Sequence, residues 1–156
     1  MAYPVRKQNR LKGFDYGSNG AYHVIICTSG HRHLFWKKNG EGLLSPDGKI
    51  VKQQIKKLSE TYETLHLDKF VIMPNHLHLL LSIDDSLSDE ELRPTVIRAV
   101  KQFKGAVTKA LGYSPWQKSF FDHAIRCEDD YKNTWLYIEN NPSKWRDDEY
   151  FIDITD

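Results

Sequence analysis

The sequence predicts an α+β fold: a four-stranded antiparallel sheet with helices on one face and a further helix at the C-terminal end. Three observations carry this. Some segments repeat apolar residues every second position and others every third and fourth, the two kinds alternate along the chain, and the connections between them are short. With 156 residues, 40% of them hydrophobic and 12% aromatic, the chain can bury one core, and it is read as a single domain over 1–156 with a basic arm over 1–20 and a tail over 142–156.

The elements follow in order. Ala21 to Thr28 is rich in β-branched and aromatic residues and lies between a Gly-rich stretch and the Ser29-Gly30 turn, so it reads as a strand. From Gly48, the residues Val51, Ile55, Leu58, Tyr62 and Leu65 recur at steps of four and three, which predicts one amphipathic helix. Leu67 to Met73 and His76 to Ile83 are strands separated only by Pro74-Asn75, and pair as a hairpin. A second amphipathic helix starts at Pro94 and buries Val96, Val100, Phe103, Val107 and Ala110. Ser119 to Ile125 is a fourth strand. A last helix runs from about Asp129 to Asn140, because the residue before Pro142 is pushed out of the helical region. The order β-α-β-β-α-β with right-handed crossovers is a split β-α-β, ferredoxin-like sheet plus a terminal helix, and it leaves one sheet face open.

Composition excludes more than it assigns. No apolar run reaches the roughly 18 residues that span a bilayer, and no signal-peptide pattern opens the chain, so no membrane is expected and the cytosol is the expected location. Cys27 and Cys127 are too few for a disulfide framework. The formal charge of +1 neither demands nor excludes a nucleic acid, but the basic residues are grouped: Arg6, Lys7, Arg10 and Lys12 in the arm, then Arg98, Lys101, Lys104 and Lys109 on the second helix. Along single-stranded DNA such side chains would follow the backbone, and Trp36, Trp116 and Trp145 are candidates for stacking on bases, at least two of them being expected to pack instead.

The chemistry is concentrated in Asn75-His76-Leu77-His78-Leu79-Leu80. In a strand, alternate side chains share a face, so His76 and His78 project together about 6.6 Å apart, near enough to hold one ion. On the last helix Tyr131, Trp135 and Ile138 form the apolar stripe, which leaves Tyr137 on another face near Asn141. Two imidazoles, an amide and a phenol suit phosphodiester chemistry with loosely bound Mg²⁺ or Mn²⁺. A phenol ionises only near about pH 10, so it needs a nearby cation or base to act as a nucleophile.

Five blocks carry a resemblance: Arg10 to Tyr16, Gly20 to Val24, Phe70 to His78, Pro115 to His123, and Tyr137 to Trp145. In this order and spacing, the chain resembles the single-tyrosine HUH transposases of the insertion-sequence and REP-associated kind. The resemblance implies that His76 and His78 bind the metal, that Tyr137 is the nucleophile, and that Asn141, four residues on, is the third ligand. It further implies nicking and rejoining of single-stranded DNA near hairpins or palindromic repeats, with the 5′ phosphate held on tyrosine and no ATP consumed. A homodimer is compatible with a small open sheet. Two competing readings stay open: a catalytically silent hairpin-binding regulator derived from a transposase, and a metal-dependent phosphohydrolase in which water attacks.

Overall fold

The computed structural model describes residues 20–38, 42–83, 89–125, 127–148 and 150. The expected basic-arm contacts Arg6, Lys7, Arg10 and Lys12 lie outside these. Four strands, β1 (Ala21–Cys27), β2 (Leu65–Ile72), β3 (His76–Ile83) and β4 (Phe121–Ile125), form one sheet in the order β2-β3-β1-β4. All neighbours are antiparallel. The helices are α1 (Pro46–Lys56), the single turn α2 (Leu58–Thr61), α3 (Asp89–Leu111) and α4 (Glu128–Asn140). The expected α+β architecture is therefore the observed one. Among the described residues, no helix is long and apolar enough to cross a membrane.

Strand alternation divides the molecule. Tyr22, Val24 and Ile26 of β1 and Leu77, Leu79, Leu81 and Ile83 of β3 face the main core, closed by Val51 and Ile55 of α1 and by Val96, Val100, Phe103 and Val107 of α3. The opposite face of the same strands carries Ala21 and Leu80, which α4 covers with Tyr131, Trp135 and Ile138. Thus the second face is not open, as the sequence led one to expect: a helix lies across part of it, and His76 and His78 on that face are buried.

Two boundaries differ from the sequence reading. The single helix expected from Gly48 to Leu65 is broken at Lys57, and Leu65 opens β2 instead. Its start is set by Ser45, whose Oγ accepts the Gly48 N–H at 3.0 Å and donates to the Leu34 carbonyl at 2.6 Å. Gly48 is required there, because a Cβ would stand 2.2 Å from the Phe35 carbonyl oxygen. The same segment steadies the site, since the Leu34 and Phe35 amides both donate to the Pro74 carbonyl in the β2–β3 turn, at 2.8 and 3.0 Å. The second difference is at α3, which begins at Asp89 rather than at Pro94, so that the proline sits inside the helix.

Candidate active site

β3 lies between β1 and β2, so its backbone is paired on both sides and its alternation is rigidly expressed. His76 and His78 therefore stand on one face, with ring centroids 4.9 Å apart and planes at 77°. Each ring is oriented through Nδ1. His76 Nδ1 lies 2.9 Å from Asn75 Oδ1, and His78 Nδ1 lies 2.9 Å from Nε2 of His23 on β1. Asn75 is itself fixed, since its Nδ2 donates to the His31 carbonyl at 3.2 Å and to the Tyr150 carbonyl at 2.7 Å.

Both Nε2 atoms are thereby left facing the same space. His78 Nε2 is buried with no hydrogen-bond partner among the described residues, and His76 Nε2 faces Asp148 Oδ2 at 3.4 Å. One ligand atom from each of His76, His78 and Asp148 lies within 4.8 Å of the others. Two imidazoles and one carboxylate are a donor set suited to a divalent ion, and the buried His78 Nε2, without a hydrogen-bond partner among the described residues, fits that reading.

The electrostatics keep these groups in ligating form. Burial, followed by the proximity of His76 and His23, holds His78 well below the usual imidazole range, so the ring is neutral at physiological pH. His23 is pushed down to about 4, mainly by burial and then by His123, against the opposing pull of Asp130. For Asp148, burial acts upward but is outweighed by the hydrogen bonds from His76 and the Tyr150 amide and by the His76 charge, so its carboxyl is lowered and stays ionised.

Tyr137 stands at the edge of this cluster. Its ring meets His78 edge-on at 5.4 Å between centroids and His23 at 6.3 Å, and half of its surface is exposed. The helix bearing it is clamped to the sheet by polar as well as apolar contacts. Tyr131 donates to Asp68 Oδ2 at 2.7 Å, Ser82 donates to Asp68 Oδ1 at 3.0 Å, and Lys69 pairs with Glu139 while lying over the Trp135 ring. Asn141 follows directly on α4 and is buried, with an Nδ2 that makes no hydrogen bond among the described residues.

The structure brings together His76, His78 and Tyr137, and adds His23 and Asp148, which sequence reasoning did not single out. His23 is a single histidine whose relevance depends on the β1–β3 register, and Asp148 sits in an acidic run after a 3-10 turn, with no periodicity to mark it. The expected DNA contacts fare differently. Trp116 is a correction: it is only 7% exposed, packed on Phe35 and Phe103 with Nε1 donating to the Lys104 carbonyl, and offers no free face to a base. Trp36 and Trp145 are likewise buried against one another. Lys104 is also corrected, since its ammonium is engaged by the Gln117 and Lys118 carbonyls at 2.8 and 3.2 Å. Arg98 and Lys101 are exposed, but on α3, across the sheet from the histidine pair. Besides Tyr137, Phe121 is an exposed aromatic on the site face, in register with Ile25, which in turn is in register with His78.

No protein-family model matches the chain. An uncharacterized protein of Haemophilus influenzae is 31% identical over 169 aligned positions, covering 95% of this chain and 94% of that one. The REP-associated tyrosine transposase of Escherichia coli is 34% identical over 79 positions, half of this chain and 44% of its own length. A solved REP-associated tyrosine transposase, bound to a REP hairpin, superposes with a TM-score of 0.62 over 92% of this chain and 74% of that one, at 21% identity, and so shares the fold. The chain is thus similar over half its length to a REP-associated tyrosine transposase, and it shares the fold of a solved one.

Proposed function

We propose that this protein nicks and rejoins single-stranded DNA at hairpin-containing sites, using Tyr137 as nucleophile and a divalent ion held by His76, His78 and Asp148. The observation that carries the reading is the position of Tyr137, half exposed to solvent and edge-on to a ligand histidine. His76 and His78 offer Nε2 and Asp148 a carboxylate oxygen, and Asn141 remains available as a further polar ligand from the end of α4. The mixed nitrogen and oxygen donors suit Mn²⁺ at least as well as Mg²⁺. When bound, such an ion supplies positive charge that polarises a non-bridging phosphate oxygen.

The chain's own residues do the rest. The Tyr137 oxygen gives up its proton and attacks phosphorus, a tyrosine–phosphate ester forms as the bond to the 3′ oxygen breaks, and the departing oxygen takes up a proton. One ester replaces another, so a 3′ hydroxyl can later reverse the step and release the tyrosine. Hairpin recognition is supported by the related transposase bound to a REP hairpin, and Phe121 is placed to stack on an unpaired base beside the site.

The test is a labelled single-stranded oligonucleotide carrying a hairpin, incubated with the protein and Mn²⁺. Wild type is expected to form a covalent adduct resistant to denaturation, and Tyr137→Phe to form none while still binding the hairpin. An adduct that maps to Tyr131 or Tyr150 overturns the assignment. Cleavage with no adduct at any stage would instead make water the nucleophile.

A further inference from the structure

The two ligand imidazoles are oriented by different partners, and the comparison settles what each partner does. His76 Nδ1 faces Asn75 Oδ1. Because Asn75 Nδ2 is committed to two carbonyls, its Oδ1 is the atom turned toward His76 and can only accept. His76 therefore carries a proton on Nδ1, and its Nε2 is the atom that faces Asp148.

We propose that His23 is the corresponding positioning residue for His78, accepting a hydrogen bond from His78 Nδ1–H so that the Nε2 lone pair is left for the ion. The inference rests on the reading of His76, His78 and Asp148 as the ion site. Only two arrangements fit a single proton shared between His23 Nε2 and His78 Nδ1 at 2.9 Å. If His23 donated, a neutral His78 would have to carry its proton on Nε2. That N–H would be buried without an acceptor among the described residues, an arrangement proteins rarely tolerate, and it would point into the space shared with His76 and Asp148. If His78 donates, its Nε2 is a lone pair directed into that same space.

The strands enforce the arrangement. His23 and His78 lie on neighbouring strands and on one face, offset diagonally because Ile25 is the residue in register with His78. Their rings stack with centroids 5.1 Å apart and planes 22° from parallel, which holds the two nitrogens in line. Hydrogen-bond partners of this kind orient metal-binding histidines and raise their basicity.

The tautomer can be read directly, without metal and without activity. In protein labelled with ¹⁵N-histidine, long-range ¹H–¹⁵N correlation at neutral pH should show His78 protonated at Nδ1, the resonance being assigned by its loss in His78→Ala. In His23→Gln, whose side-chain oxygen can still accept, that state should persist; in His23→Phe it should shift toward Nε2 protonation. Mn²⁺ binding, followed by the electron paramagnetic resonance of the free ion, should weaken on the order of ten- to a hundred-fold in His23→Phe and recover to within a few-fold of wild type in His23→Gln. His78 protonated at Nε2 in the wild type overturns the proposal. So does His23→Phe binding Mn²⁺ as tightly as wild type. Wild-type protein that binds no Mn²⁺ in a manner dependent on His78 overturns the ion site itself, and the nitrogen spectra then report separately whether His23 sets the tautomer.

Discussion

The two faces of this sheet are built from the same strands and obey different rules. On one, Leu77, Leu79 and Leu81 meet the apolar stripes of α1 and α3, and any residue of similar size and polarity would fill the space. On the other, the intervening His76 and His78 are just as buried, yet each is aimed by a polar contact through its Nδ1. The first face produces stability and tolerates approximation. The second gives up stability by burying imidazoles, one of which, His78, has an Nε2 with no hydrogen-bond partner among the described residues, and gains a candidate site.

The sharpest way to break this comparison uses two adjacent residues. Leu79→Ala should cost roughly 2–5 kcal/mol, lowering the melting temperature by on the order of 10 °C. His78→Ala should cost distinctly less stability while reducing DNA cleavage by at least about a hundred-fold, because it empties a site rather than a core. If calorimetry finds His78→Ala as destabilising as Leu79→Ala, the histidine is a core residue and the distinction between the faces collapses.

A smaller effect is expected at the third donor. Asp148→Asn keeps the shape but removes the charge, and should weaken Mn²⁺ binding on the order of ten- to a hundred-fold, with excess Mn²⁺ restoring cleavage. Cleavage that remains lost at saturating Mn²⁺ would count against Asp148 as a ligand. Smaller again is Phe121→Ala: if this ring stacks on a base, single-stranded DNA binding should drop by about 1–3 kcal/mol with melting unchanged. Unchanged affinity would confine DNA recognition to other surfaces.

The smallest effect, and the one that reports on the polar face alone, is in the pH dependence of stability. In the unfolded chain His23 and His78 take up protons near 6.5; in the fold His78 does so only well below that and His23 at about 4. Between these limits the unfolded state binds more protons, so stability should fall as the pH drops from about 6.5 toward 4 and be fully present above 6.5. Thermal melts across that window should show a shallower decline in His23→Gln, and an identical decline would mean that His23 does not contribute.

Most of the apolar face was legible in the sequence, since periodicity of two and of three to four is a local property that the strands and helices simply express. The His76, His78 and Tyr137 set was legible too, the first pair by spacing and the tyrosine because it fell off the Tyr131, Trp135 and Ile138 stripe. What escaped depends on register. His23 reaches His78 only because β1 and β3 pair as they do, and Asp148 only because the chain turns back after α4. Of the three tryptophans at least two are expected from the sequence to pack, but Trp116, a candidate DNA contact because it follows a loop, also closes the core between Phe35 and Phe103, which only the tertiary contacts reveal. The break at Lys57 was also invisible, because Leu65 continues the helical spacing while belonging to β2.

Asn75 ties the 3-10 turn after β1, the turn before β3 and the segment after α4 to one another through a single amide group. Its consequence concerns mutation at a distance. Removing that one amide would loosen three separate segments together, so Asn75→Ala would disturb both the orientation of His76 and, through the Tyr150 segment that bonds Asp148, the position of Asp148, although neither side chain is altered.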